Sequence, residues 1–203
     1  MDALEPAEED EGGTVFRDVV LLALAGLVAV VILILPHLGP QSRMEAATAD
    51  PPGNVIVELR WPDEVDGDLD LWVQAPGDAP VGHANKGGGV FTLLRDDPGR
   101  RMDATGLNHE VSYSRGIVPG EYTVNAHLYR GPEEQSPVPI TVVTSVRPDE
   151  RAPARRILAR RLEIGHEGEE VTAFSFRLDA LGDLVPGSVN RAQKPLRGWK
   201  AKP

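Results

Sequence analysis

The sequence contains no cysteine, so disulfide bonds, thiolate catalysis and cysteine-ligated metal centres are all excluded. Aromatic residues make up only 5% of the chain. Basic residues are also scarce, with 21 lysines and arginines against 31 aspartates and glutamates and a formal net charge of -10. Because a nucleic-acid partner requires a basic face, this charge argues against DNA or RNA binding.

Recognisable catalytic patterns are missing as well. The five histidines show neither the H-x-x-x-H nor the H-E-x-x-H spacing that zinc proteases require: they are His37, His83, His109, His127 and His166. No serine lies in the glycine-flanked context of a nucleophile elbow. We therefore expect a protein that is not an enzyme.

The longest feature that is present is an apolar run near the N-terminus. Residues 19–35 carry no charge and no strongly polar side chain. A helix of this length covers roughly 25 Å, and flanking residues extend it toward the thickness of a bilayer core, so we predict a transmembrane helix over 15–38. The acidic stretch 1–14 is predicted to be a disordered tail, and its lack of basic residues favours an uncleaved anchor over a signal peptide.

Asp18 directly precedes this run, and two interpretations of it stay open. At the headgroup level, a carboxylate near a helix N-terminus is stabilised by roughly 0.3–1 kcal/mol, which makes it an interfacial cap. Drawn into hydrocarbon, a charged carboxylate costs several kcal/mol, so a helix bundle would have to shield it and the group would then carry a proton.

The remainder of the chain predicts a domain of mainly β structure. Residues 39–53 are rich in proline and read as a linker, and period-two alternation then begins, with Val55, Val57 and Leu59 on one face. Similar alternation recurs, so seven or eight antiparallel strands are predicted within a β-sandwich over 54–180. Residues 155–164 fit a strand or a short helix, and we favour a strand. The basic stretch 181–203 is predicted to be a disordered tail.

The segment DGDLDLW places Asp66, Asp68 and Asp70 two residues apart, so on a strand all three share a face. Stacked carboxylates repel one another unless a cation offsets them, and Ca²⁺ or nearby arginines would do so. The alternative is a turn at Asp66 followed by two solvated or paired aspartates. The three residues are the candidate metal ligands, with calcium as the candidate ion.

Three stretches of this domain resemble a known class of proteins: GDLDLWVQAPG, GHANKGGGVFTLLRDDPG and SRGIVPGEYTVNAHLY. They are similar to bacterial extracytoplasmic β-sandwich domains that carry D-x-D-L-x-V followed by P-G-x-Y-x-V-x-x-x-x-Y, namely the DUF2135-type and pre-peptidase C-terminal domains. The resemblance covers residues 54–145. It implies a jelly-roll-like binding or accessory module. In some relatives the first-strand aspartates bind calcium, and the resemblance carries this role over to Asp68 and Asp70.

The segment FRDVVLLALAGLVAVVILILP resembles the single-span stator subunits of proton-driven motors, the ExbD, TolR and MotB group. Phe16, Asp18 and Pro36 occupy matching positions, and only Asp18 would inherit the proton-carrying role. This resemblance implies a bacterial inner-membrane protein with a periplasmic domain and a multi-span partner of the MotA, TolQ or ExbB type. The alternative function is a calcium-dependent ligand-binding domain whose span is only a tether.

Overall fold

The computed structural model describes residues 11–34, 51–99, 106–132, 137–149 and 151–198. Within these ranges the chain forms one helix, α1 (Glu11–Ile34), and eight strands. The strands are β1 (Val55–Arg60), β2 (Asp68–Gln74), β3 (Phe91–Arg95), β4 (His109–Ser114), β5 (Gly120–Arg130), β6 (Val138–Val146), β7 (Arg155–Ile164) and β8 (Glu170–Leu178). The chain divides into two compact units, Met1–Ala47 and Thr48–Pro203.

Helix α1 contains the apolar run and is long enough to cross a membrane. The stretch Val15–Ile34 has 20 residues and a mean hydropathy of 2.6, and none of it is buried. At about 1.5 Å per residue this stretch matches the ~30 Å hydrocarbon core. Residues 11–14, predicted as part of the tail, are helical. The rest of the predicted tail, the end of the predicted span and most of the predicted linker lie outside the described residues.

The strands form two antiparallel sheets, which confirms the predicted fold class. The five-stranded sheet has the order β3-β4-β1-β6-β7, and the three-stranded sheet has the order β2-β5-β8. The predicted alternation holds in β1, where Val55, Val57 and Leu59 are fully buried. Residues 155–164 are a strand, as favoured above, because they pair along β6 from Val138 to Val146.

Aromatic side chains fill the centre of the sandwich. The ring of Tyr122 lies 5.4 Å from that of Phe176 and 6.1 Å from that of Phe91, measured between centroids. The Tyr122 hydroxyl donates to the Val118 carbonyl at 2.7 Å and accepts from the Val118 N–H at 3.0 Å. Gly120 has a φ of 140°, so the Pro-Gly turn directs the chain from this hydrogen bond into β5.

Two side chains from the five-stranded sheet bind backbone groups at the edges of the three-stranded sheet. On the β2 edge, the carboxylate of the fully buried Glu110 accepts the N–H of Leu71. On the β8 edge, the Arg160 guanidinium donates to the carbonyls of Thr172 and Ala173 at 2.9 and 2.6 Å. Since both residues belong to the five-stranded sheet, these bonds join the sheets and protect edges that would otherwise expose unpaired backbone groups.

Residues 181–198 differ from the predicted disordered tail. Leu184 forms a bridge with Leu178, and Asn190 forms one with Ser175. Farther along, Leu196 is buried and its N–H donates to the Glu170 carboxylate at 2.7 Å. The segment packs on β8 through backbone hydrogen bonds. Because such bonds do not depend on apolar side chains, the sequence of this segment shows no hydrophobic periodicity that would predict its order. Residues 199–203 lie outside the described residues.

Candidate functional site

The outer face of the three-stranded sheet is polar, yet much of it is buried. Alternation turns the apolar residues of β2, β5 and β8 toward the five-stranded sheet and leaves polar residues on the other side. The outward residues that are nevertheless buried include Asp70, Thr123, Asn125, His127 and Ser175. Hydrogen bonds satisfy part of this face, among them one from His127 Nδ1 to Asp70 Oδ2 at 2.7 Å, while Trp72 Nε1, Asn125 Oδ1 and His127 Nε2 are buried without a partner among the described residues.

A loop after β2 covers one end of this face. Val81 pairs with Val73 on the open edge of β2, with N–H to carbonyl distances of 2.8 and 2.9 Å. Gly82 follows, and any Cβ at that position would overlap the ring of Trp72. Only glycine allows this close approach to Trp72, so the loop can pack directly on β2. As a result the next residue, His83, lies near Asp70.

Asp70, His83 and Asp96 come together at this edge from three segments of the chain. His83 Nδ1 lies 3.4 Å from a carboxylate oxygen of Asp96 and 4.0 Å from Asp70 Oδ1. One ligand atom from each of the three residues falls within 4.8 Å of the others. Asp70 is buried, while the His83 side chain is 59% exposed, so the cluster opens to solvent on the histidine side.

Neighbouring groups hold the cluster in place. The His83 ring stacks on Tyr129, with centroids 6.3 Å apart and 21° between the planes. Lys86 Nζ lies 2.6 Å from Asp96 Oδ2. Burial by itself would raise the pKa of Asp96, but hydrogen bonds with Lys86, His83 and the buried Glu110 outweigh it, and the pKa is lowered.

The structure separates the three aspartates that the sequence suggested as metal ligands. Asp66 precedes β2, and its carboxylate contacts Arg130 at 3.4 Å. A bulge between Asp68 and Leu69 then interrupts the regular alternation. Burial, followed by the charge of Asp70, raises the pKa of Asp68 to about 6. Of the predicted set, only Asp70 joins the cluster with His83 and Asp96.

Calcium does not fit this arrangement well. Ca²⁺ takes six to eight oxygen ligands, commonly from several carboxylates and carbonyls. Here Asp66 faces Arg130, and one oxygen of Asp70 is occupied by His127. The third donor of the cluster is an imidazole nitrogen rather than an oxygen. The donor set, one nitrogen with two carboxylates, instead suits a transition metal such as Zn²⁺.

Asp18, the candidate proton carrier, is exposed within α1. It is the eighth residue of a helix that begins at Glu11. The stabilisation of an anion by the helix dipole fades beyond the first turn, so the interfacial cap loses its main energetic support. No hydrogen bond or ion pair of Asp18 is recorded within the described parts of the chain.

A concave surface also lies on the five-stranded sheet, away from this cluster. It is a groove of about 830 Å³, lined mainly by residues of β1, β6 and β7. Arg60, Trp61 and Arg161 contribute to its walls. The groove is open, and none of the predicted site residues lines it. Within the described residues the groove brings together no such convergent donor atoms, so the cluster around Asp70 is the stronger candidate site.

Comparison with known proteins assigns no family to this chain. No protein-family model matches the sequence, and no match emerges from either the curated proteins or the solved structures. The resemblances to extracytoplasmic sandwich domains and to stator subunits therefore remain predictions.

Sequence reasoning missed His83 and Asp96. Both lie in stretches whose composition suggests a connecting loop: the glycine-rich GHANKGGG and the charged LLRDDPG. A possible signal was the separation of a lone histidine and an acidic pair by one short strand, β3 (Phe91–Arg95). That signal is weak, since only the pairing of β2 with the loop brings the two stretches to Asp70.

Proposed function

We propose that this chain is a single-pass protein of the bacterial inner membrane that presents a β-sandwich binding module to the periplasm. The observation that carries the proposal is the exposed apolar surface of α1. Phe16 and Leu22, for example, are 72% and 73% exposed, and the whole stretch Val15–Ile34 is unburied. A continuous apolar surface of this length is unfavourable in water and favourable in lipid.

The sandwich supports the binding part of the proposal. Much of its polar outer face is buried, whereas His83 and Tyr129, at the cluster around Asp70, are exposed. Solvent-accessible polar and aromatic groups on a rigid sheet suit recognition of a ligand or a protein partner. The acidic balance of the chain keeps nucleic acid out of the proposal.

Membrane anchoring is tested by fractionation of cells that express the full chain. The protein should stay in the membrane pellet after an alkaline carbonate wash and dissolve only in detergent. The double variant Leu24→Arg/Val28→Arg should move to the soluble fraction, because each charge at the helix centre costs about 2.5–3.5 kcal/mol. The apolar control Leu24→Ile/Val28→Leu should remain in the pellet. A parent chain released by carbonate would contradict the anchor.

Orientation is testable because the chain has no cysteine of its own. A single cysteine at Leu181, whose side chain is 74% exposed, provides a site for a membrane-impermeant maleimide on intact spheroplasts. Leu181→Cys should be labelled before lysis, and Ala7→Cys, on the other side of the span, only afterwards. The reverse pattern would place the sandwich in the cytoplasm and refute the periplasmic module.

A second candidate function is the accessory role in a proton channel, which the position of Asp18 inside an exposed helix favours. A multi-span partner should then copurify from detergent-solubilised membranes. Vesicles that contain the reconstituted pair should take up protons, and Asp18→Asn should abolish the uptake while Asp18→Glu retains it. Absence of a multi-span partner, or unchanged uptake in Asp18→Asn, would remove the proton role and leave the anchor intact.

A further inference from the structure

We propose that Asp70, His83 and Asp96 bind one divalent transition-metal ion of the Zn²⁺ type. The ligands are Nδ1 of His83 and one carboxylate oxygen from each aspartate. The remaining coordination positions face solvent and are open to water or to a donor atom of a bound ligand. The site is independent of membrane insertion, so it stands or falls separately from the proposed anchor.

The spacing of the donor atoms approaches that around a single ion, since all three lie within 4.8 Å of one another. In a four-coordinate zinc site with bonds of about 2.0–2.2 Å, ligand atoms lie about 3.3–3.6 Å apart. His83 Nδ1 lies 3.4 Å from either oxygen of Asp96 and 4.0 Å from Asp70 Oδ1. The exposed His83 side chain can close the second distance by a small rotation, since its loop is fixed through Gly82 while its ring reaches into solvent.

An outer shell orients the buried ligand. His127 is 1% exposed and donates from Nδ1 to Asp70 Oδ2 at 2.7 Å. This bond fixes the Asp70 carboxylate and leaves Oδ1, the oxygen nearer to His83, as the free donor. Hydrogen bonds from a second residue to a ligating carboxylate are a regular feature of protein metal sites. The bond from His127 therefore positions the Asp70 carboxylate for an ion.

The local charge also favours a cation. The carboxylates of Asp70 and Asp96 lie close enough to Asp68 to act on it electrostatically, so negative charge is concentrated beside the cluster. The neighbouring cations Lys86 and Arg130 pair with Asp96 and Asp66, respectively. Lys86 is 58% exposed and held by Asp96 alone among the recorded contacts, so a metal ion can displace it from that carboxylate.

Binding of Zn²⁺ is the direct test. Full-length protein in detergent micelles is stripped with chelator, dialysed and titrated with Zn²⁺ by calorimetry, with thermal unfolding measured in parallel. We expect one Zn²⁺ per chain and a rise in Tm with free Zn²⁺, because an ion that binds only the folded state stabilises it. His83→Ala and Asp96→Asn should each weaken binding by about 100-fold or more, since each removes a ligand.

Three controls make the outcome decisive. His166→Ala removes an exposed histidine outside the cluster and should leave Zn²⁺ affinity unchanged. Lys86→Met removes the competing cation from Asp96 and should tighten Zn²⁺ binding. Ca²⁺ at the same concentrations should leave the Tm unchanged.

Three results would overturn the inference. The first is a parent chain that fails to bind Zn²⁺ at 1:1 stoichiometry, and the second is a His83→Ala variant that binds it as tightly as the parent does. A Tm that rises equally with Ca²⁺ and Zn²⁺ in both the parent and His83→Ala would point instead to an oxygen-only site. None of these results affects the fractionation or labelling experiments.

Discussion

On β5 (Gly120–Arg130), successive side chains enter two different environments. Tyr122, Val124 and Ala126 face the five-stranded sheet and pack in an apolar core. The alternating residues Asn125 and His127 face away from that core and are buried just as completely. The inner face is held by close packing of apolar groups, whereas the outer face is held by directed polar bonds.

The difference shows what burial of polar groups requires. On the outer face, Asn125 donates to the Glu170 carboxylate at 2.6 Å and to the Lys194 carbonyl at 2.8 Å. Thr123 and Ser175 share a hydrogen bond of 3.1 Å. A buried polar group without a partner costs about 1–3 kcal/mol. The segment 181–198, called the strap below, therefore helps to keep this face covered, because its Lys194 carbonyl accepts from Asn125.

The largest expected loss of stability comes from a pair of leucine-to-alanine substitutions, one on each side of the three-stranded sheet. Leu128→Ala opens a cavity in the inner core and should lower the free energy of unfolding by about 3–4 kcal/mol. Leu196→Ala, on the strap, should cost about 2 kcal/mol, because the surface segment can relax into the space. Urea unfolding of both variants measures the difference, and exposed Arg197→Ala is the control. Equal losses would mean that the strap belongs to the core.

A smaller loss of stability is expected on substitution of Glu110, which bonds to the β2 edge of the three-stranded sheet. Its carboxylate accepts the N–H groups of Leu71 and Asp97, and burial raises its pKa well above the usual range. Glu110→Ala leaves both N–H groups without an acceptor and should cost about 2–3 kcal/mol in urea unfolding. Glu110→Gln resembles the neutral acid, keeps one acceptor oxygen and should cost about half as much. Comparable losses in the two variants would contradict the hydrogen-bonding role.

The smallest effect concerns Glu58 on the outer face of the five-stranded sheet. A hydrogen bond from His109, partly opposed by burial, lowers the pKa of Glu58 from 4.5 to about 2. A lowered carboxylate pKa stabilises the fold above pH 4.5 and ceases to do so as the pH falls toward 2. Glu58→Gln should therefore cost about 1 kcal/mol at pH 7, after allowance for solvent screening, and less at pH 3.

Unfolding curves at both pH values measure that dependence, with exposed Glu64→Gln as the control. A cost that stays constant between pH 7 and pH 3 would show that the Glu58 contribution is not electrostatic.

The sequence predicted the apolar elements well and the polar ones poorly. The alternation in β1, β5, β6 and β8 is visible because their inward residues are apolar. β4 (His109–Ser114) escaped notice since its buried positions include Glu110, Ser112 and Ser114. Strand β3 has only five residues, and its pairing with β4 contains an irregularity.

The candidate site was predicted only in part. Asp70 was identified because regularly spaced aspartates require compensation. Asp66 was grouped with it because strict alternation was assumed, but it precedes β2 and contacts Arg130 instead. His83 and Asp96 could not be assigned, since no local pattern marks a residue whose partner lies on another strand.

The amino-acid sequence by itself determined the apolar helix and the alternating strands, because both follow from the local period of hydrophobic residues. Only the tertiary structure decided which polar residues are buried and which meet. Asp70, His83 and Asp96 belong to three segments, and the ordering of 181–198 depends on bonds to β8. Such contacts arise from chain folding over long sequence distances, where local hydropathy carries no information.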